Sequence, residues 1–162
     1  MIDLQFILTI LPVLSMAVAL VYYAMNLRNA NKTQLMAQET RQASLFMQIY
    51  NQFTSERVME TSIEIMSQWK WSSFEEFQQK YGAGTNPSDY SKFMKIINYF
   101  EGVGILLKRG LIDVEFVSDL MGAPLMMVWE KTKSVIEGIR EFYDDPNLWN
   151  NYEYLVQQVN RK

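Results

Sequence analysis

The sequence predicts an all-α protein in which an N-terminal transmembrane helix continues into a polar stalk and is followed by an irregular helical bundle. Three observations carry that prediction. Residues 4–27 form an almost unbroken apolar run with no charged side chain. Residues 28–52 contain neither proline nor glycine. Beyond them, apolar residues recur at helical spacing, and no run alternates with period two between turn signals.

The apolar run comes first. At 1.5 Å per residue it reaches roughly 36 Å, enough to cross a hydrocarbon core about 30 Å thick. A cleaved signal peptide is the rival reading, since Ala17-Val18-Ala19 resembles a small-residue cleavage site. No basic region precedes the run, however, and apolar residues continue through Val21, Ala24 and Met25, so retention is expected. The N-terminal flank offers only Asp3, whereas Arg28, Lys32 and Arg41 follow the run. Basic residues stay inside, which predicts a single-pass protein of the cell membrane with its N-terminus outside and its C-terminal domain cytoplasmic. The expected organisation is a transmembrane helix over residues 1–27, a helical stalk over 28–53 and a cytoplasmic helical domain over 54–162.

On the span and stalk, Ser15, Ala19, Tyr22, Asn26, Asn29, Thr33, Ala37, Thr40 and Ser44 fall on one line by steps of three and four. Small residues and hydroxyls favour helix association in lipid, where the hydrophobic drive between helices is weak. Ser15, Ala19, Tyr22, Asn26, Asn29 and Thr33 are therefore the predicted contact stripe for a second copy or for a partner in a membrane complex. They would line the path if a ring of copies made a pore, although Leu8 and Leu11 leave the outer half of that side apolar. Pro12 is expected to loosen the helix locally. The opposite side carries Leu35, Phe46, Ile49 and Phe53, so only its lower end suits a domain core.

Within the domain, Thr54 or Ser55 is predicted to cap a helix with Val58, Met59, Ile63, Met66 and Trp69 inward. Ser73 and Glu76 match a capping box for a short helix that gathers Phe74, Phe77 and Tyr81 before Gly82-Ala83-Gly84 ends it. A mobile loop is expected at Asn86-Pro87. Ser88 then starts a long helix with Tyr90, Phe93, Met94, Ile97, Phe100 and Leu107 inward, terminated by Gly110. Asp113 should cap a short helix through Met121 with Phe116, Val117 and Leu120 on one face, and Gly122-Ala123-Pro124 should stop it and start the next. That next helix should bury Met126, Trp129, Val135, Ile136, Ile139 and Phe142 and end at Tyr143. Asp145-Pro146 then reads as the cap and first residue of a terminal helix with Leu148, Trp149, Tyr152, Leu155, Val156 and Val159 inward.

The chain has no cysteine and no histidine, which removes disulfides and the usual ligands of zinc, haem and iron–sulfur sites. No metal or other cofactor is expected. Glu60 and Glu64 share a helix face, but Glu56 and Arg57 beside them indicate a solvated surface. Serines lack a histidine base, and no strained elbow or phosphate-cradling glycine loop occurs. A net charge of −3 argues against a general grip on nucleic acid, with Lys92 and Lys95 the nearest approach to a basic patch. Glu101 follows the inward Phe100; if buried it needs a partner, and Arg140 is the predicted one in a structural ion pair. Gly102 and Gly104, in mid-helix, should permit close packing. Met94, Met121, Met126 and Met127 offer an adaptable surface.

The stretch Tyr99-Phe100-Glu101-Gly102-Val103-Gly104-Ile105-Leu106-Leu107-Lys108-Arg109-Gly110-Leu111-Ile112-Asp113 resembles a pattern of an uncharacterised family of prokaryotic proteins. Arg41-Gln42, Trp129, Arg140-Glu141 and Tyr152-Glu153-Tyr154-Leu155 fit the same likeness. The resemblance implies an N-terminal membrane helix followed by a small helical domain of unknown function, and no reaction. Some membrane-anchored helical accessories of prokaryotic antiviral systems look broadly similar and assemble into pores. Those accessories can be related to helical ribonuclease domains that depend on an arginine and a histidine a few residues apart, an active site excluded here by the absence of histidine. The leading expectation is a non-enzymatic accessory or scaffolding protein acting through helix association. The alternative is an oligomeric membrane pore or effector, in antiviral defence by that analogy.

Overall fold

A computed structural model describes residues 4–161. Asp3, on which the orientation argument draws, lies outside the described residues. Six helices occur among them and no strand: α1 Leu4–Phe53, α2 Glu56–Ser67, α3 Phe74–Tyr81, α4 Pro87–Lys108, α5 Val114–Tyr143 and α6 Asn150–Asn160. By contacts the chain divides into two units, Met1–Arg41 and Gln42–Lys162.

In the first unit, α1 is long and apolar enough to cross a membrane, and none of its apolar window is buried within the chain. Pro12 lies inside the helix without ending it. The missing amide frees the Leu8 carbonyl, and one turn further on the Ser15 hydroxyl donates back to the carbonyls of Leu11 and Pro12.

In the second unit, aromatic side chains dominate the core. Phe53, near the end of α1, packs against Tyr99 and Phe100 with ring centroids 5.8 Å away in each case. Phe100 stacks on Tyr152 at 5.1 Å, and Trp129 meets Tyr152 edge-on at 5.0 Å. Phe46 is fully buried while Ser44 is exposed, so α1 contributes one face to this core. The Tyr99 hydroxyl donates to the Ile49 carbonyl at 2.6 Å, and burial pushes the pKa of that phenol up.

Local signals explain most helix ends. Ser73 Oγ accepts the Glu76 amide, while the Glu76 carboxylate reaches Ser72 rather than closing the box on Ser73. Gly110, at φ 66°, terminates α4 with paired bonds from its own amide to Leu107 O and from Leu111 N to Leu106 O.

Several expectations are corrected. The buried positions of α2 are Val58, Thr61, Ser62 and Ile65, with Met59 and Ile63 exposed. The Thr61 and Ser62 hydroxyls donate back to Arg57 O and Val58 O, and this self-satisfaction lets two polar residues face the core. Asn86-Pro87 is a helix start rather than a loose loop, because Asn86 Oδ1 accepts the Asp89 amide and Pro87 takes the first helical position. Gly122-Ala123-Pro124 does not break the chain, and α5 runs straight through it. Leu120, whose carbonyl the proline leaves free, is exposed to solvent. Gly122 is buried where a Cβ would touch Val159 at 3.5 Å. Asp145-Pro146 opens a turn, not a helix: Asp145 Oδ1 accepts the Asn147 amide, and Trp149 turns left-handed at φ 54° before α6 begins. Its indole is buried and donates to Asn98 at 2.8 Å, which fixes the chain there.

Candidate functional site

Two sets of residues were predicted to matter, and they meet different fates. Ser15, Ala19, Tyr22, Asn26, Asn29 and Thr33 all lie on α1 and all are exposed. The surrounding apolar side chains are exposed as well, Val18 at 68% and Met16 at 67%. In water such a surface would forfeit burial worth about 25 cal/mol per Å².

Glu101 and Arg140 were predicted to pair, and they do not. Each binds a different part of the region around α6. Glu101 accepts from the Asn151 amide group at 2.6 Å and from the Tyr152 backbone N–H at 2.7 Å. The reason lies in how α6 starts. Its N-cap residue is Trp149, which provides no capping bond. The free amides of the first turn need an acceptor, and the positive end of the helix dipole favours an anion. Glu101, on α4, supplies the cap from another helix. Gly104 lies three residues further along α4, on the same side, and there the Asn151 carbonyl approaches so closely that a Cβ would sit 2.0 Å from it. Glu101 and Gly104 together form the seat of α6. Gly102 has nothing within 4 Å of its missing Cβ, so only one of the two glycines serves close packing.

Arg140, on α5, donates from Nε to Leu148 O at 2.9 Å and from Nη1 to Glu153 at 3.0 Å. Its Nη2 is buried without a partner among the described residues. The guanidinium therefore ties the 145–149 turn and α6 to α5. Asn151, Tyr152 and Glu153 escaped sequence reasoning as partners. The discoverable signal was the three-residue spacing of Glu101 and Gly104.

Between α2 and α4 lies an open polar groove of about 380 Å³, lined by residues including Arg57, Glu60, Glu64, Ser88, Lys92 and Lys95. Lys92 binds Glu64 at 2.7 Å and Asp89 at 3.1 Å. The ammonium hydrogen bond, chiefly, holds the Glu64 carboxyl below its ordinary range, against the opposing effect of burial and with help from the Trp69 indole. Lys92 thus belongs to a surface ion-pair cluster, and Glu64 is taken. Among the described residues no group of three or more acidic residues is placed to hold a metal ion. An apolar groove of about 400 Å³ runs along α4 beside Ile49, Tyr99, Gly102, Val103 and Leu106. The methionines do not form one surface: Met121 is fully buried and Met127 is 59% exposed.

The model of a family described as Domain of unknown function (DUF4760) matches residues 13–159. No curated protein and no solved structure matches the chain. The chain belongs to the DUF4760 family.

Proposed function

We propose that this member of the DUF4760 family is a membrane-anchored, non-enzymatic accessory or scaffolding protein. In this reading α1 crosses the cell membrane once and the bundle is held on the cytoplasmic side. The observation that carries the reading is the exposed apolar surface of α1, continuous from Ile10 to Leu27 with no charged residue. Lipid is the environment that removes this surface from water without a second protein core. Arg28 and Lys32 at its end support the orientation in this reading. Within the bundle, the carboxylates and cations of greatest interest are occupied in holding helices, as with Glu101, Arg140 and Lys92. That occupation supports a role in association over one in chemistry.

Fractionation of cells expressing the full chain tests the anchoring. The chain should stay in the membrane pellet through alkaline carbonate washing and enter solution only with detergent. Recovery as a monomer in the detergent-free supernatant would overturn the proposal. A pore is the second reading, prompted by the exposed amides of Asn26 and Asn29 on an apolar helix. Purified protein in liposomes separates the two, since a pore conducts ions and a scaffold does not.

A further inference from the structure

The C-terminal end of α5 carries two features that are unfavourable for the chain on its own. The first is apolar. Phe142, whose spacing predicts burial, is 67% exposed, and Tyr143 beside it is 60% exposed. Among the described residues of Gln42–Lys162 these are the two most exposed large hydrophobic side chains. Their rings meet edge-on with centroids 5.0 Å apart, and Phe142 reaches the bundle through Phe74, at 6.4 Å.

The second feature is charge. Glu137, Glu141 and Asp144 are exposed, and none forms an ion pair among the described residues. They gather at the negative end of a 30-residue helix, where the dipole favours cations over carboxylates. Glu137 and Glu141, one turn apart, also repel each other. Arg140 is the basic residue of the last turn, and Leu148 O and Glu153 engage it. Further up the helix Lys133 is paired with Glu130, and Lys131 lies over the Trp71 ring. Asp144 closes the helix in a left-handed turn at φ 52°, its amide bonded to the carbonyls of Arg140 and Glu141, so its position is fixed by the helix end.

We infer that this end of α5 is the docking surface for a basic segment of a partner protein, whose arginines lie on the Phe142 and Tyr143 rings and pair with Glu141 and Asp144. The inference deepens the scaffolding role proposed above, on which it rests, by naming the chemistry of the partner. Charge complementarity selects the occupant. A second copy presenting this same end would bring the same carboxylates and be repelled, as would a nucleic acid or an anionic lipid surface. An arginine relieves both features at once, because its guanidinium stacks on an aromatic face and bonds a carboxylate through two N–H groups. Lysine supplies only a strongly hydrated point charge. Exposed aromatic side chains and arginine are the residue types that anchor protein interfaces.

The test uses the full chain in phosphatidylcholine nanodiscs and three fluorescent peptides of otherwise identical sequence bearing arginines, lysines or glutamates. Anisotropy should show the arginine peptide binding several-fold more tightly than the lysine peptide, and the glutamate peptide not binding. Phe142→Ala with Tyr143→Ala should abolish the preference for arginine. Glu141→Gln with Asp144→Asn should weaken both basic peptides about three- to tenfold, the scale of two exposed ion pairs. Asparagine tolerates the left-handed turn, so the denaturation midpoint of that variant should stay in place. Asp119→Asn, at an exposed carboxylate toward the other end of α5, should leave binding unchanged. Equal weakening by Asp119→Asn, or equal affinity for the arginine and lysine peptides, in a chain that resists carbonate would overturn the inference and leave the anchoring intact. Recovery in the detergent-free supernatant would overturn the anchoring, and the peptide comparison would still decide the docking.

Discussion

From Ile10 to Thr40 every described side chain is exposed, whereas the unit that follows buries Phe46, Phe77, Phe93, Phe100 and Tyr152 completely. Both regions are helical and both are rich in apolar residues. They differ in what covers those residues. In Gln42–Lys162 helices cover one another through specific seats: Glu101 and Gly104 receive α6, and Phe74 of α3 lies where a Cβ on Gly138 would be 2.4 Å away. In the first unit the described side chains from Ile10 to Arg41 are exposed. Apolar content alone does not define a core. Without facing residues that fit, the environment must do the covering.

The largest expected effect comes from emptying the shared aromatic cluster. Phe100→Ala should destabilise the bundle by about 3–5 kcal/mol, measured by denaturant titration of tryptophan fluorescence in the full chain. Val18→Ala, on α1, should leave the same transition unmoved, and a shift there would break the contrast between the two regions. Next, Gly104→Ala drives a Cβ into the α6 backbone and should cost about 3 kcal/mol. Glu101→Ala removes the cap from α6 and should cost about 2 kcal/mol, the scale of a hydrogen bond to a charged group. Gly102→Ala, in open space on the same helix, should instead stabilise by about 0.5–1 kcal/mol in the same titration. If both glycine variants behaved alike, the close approach at Gly104 would be wrong.

The smallest effect is electrostatic. The folded state lowers the pKa of Glu64 and raises that of Lys92, each chiefly through their mutual hydrogen bond. The contribution of Glu64 is therefore complete above the ordinary carboxylate range and lost as pH falls through its lowered value. That of Lys92 is complete below the ordinary lysine range and lost as pH rises through its raised value. Both side chains are about one-third exposed, so the pair should be worth about 1 kcal/mol at most. Thermal melts of wild type and Lys92→Met should differ at neutral pH and converge in acid.

Features set by neighbouring residues were legible in the sequence. The unbroken α1, the Ser73 cap and the Gly110 terminator each depend on a few adjacent positions, and each occurs where local chemistry places it. Features decided by distant contacts were not. Gly122-Ala123-Pro124 resembles a break, yet packing along α5 outweighs one lost hydrogen bond. Asp145-Pro146 has the form of a helix start, but the buried Trp149, bonded to Asn98, delays it to Asn150. The partner of Glu101 was sought among opposite charges. The structure supplies helix-end amides, which no charge pattern reveals.

Thiol accessibility reads directly whether lipid covers α1. Full-length Val18→Cys and Gln34→Cys variants, reconstituted in phospholipid vesicles, are exposed to a membrane-impermeant maleimide. Labelling of Gln34→Cys, in the half of the population facing outward, with Val18→Cys protected until detergent is added, is the predicted result. Equal labelling of the two positions before detergent would contradict it.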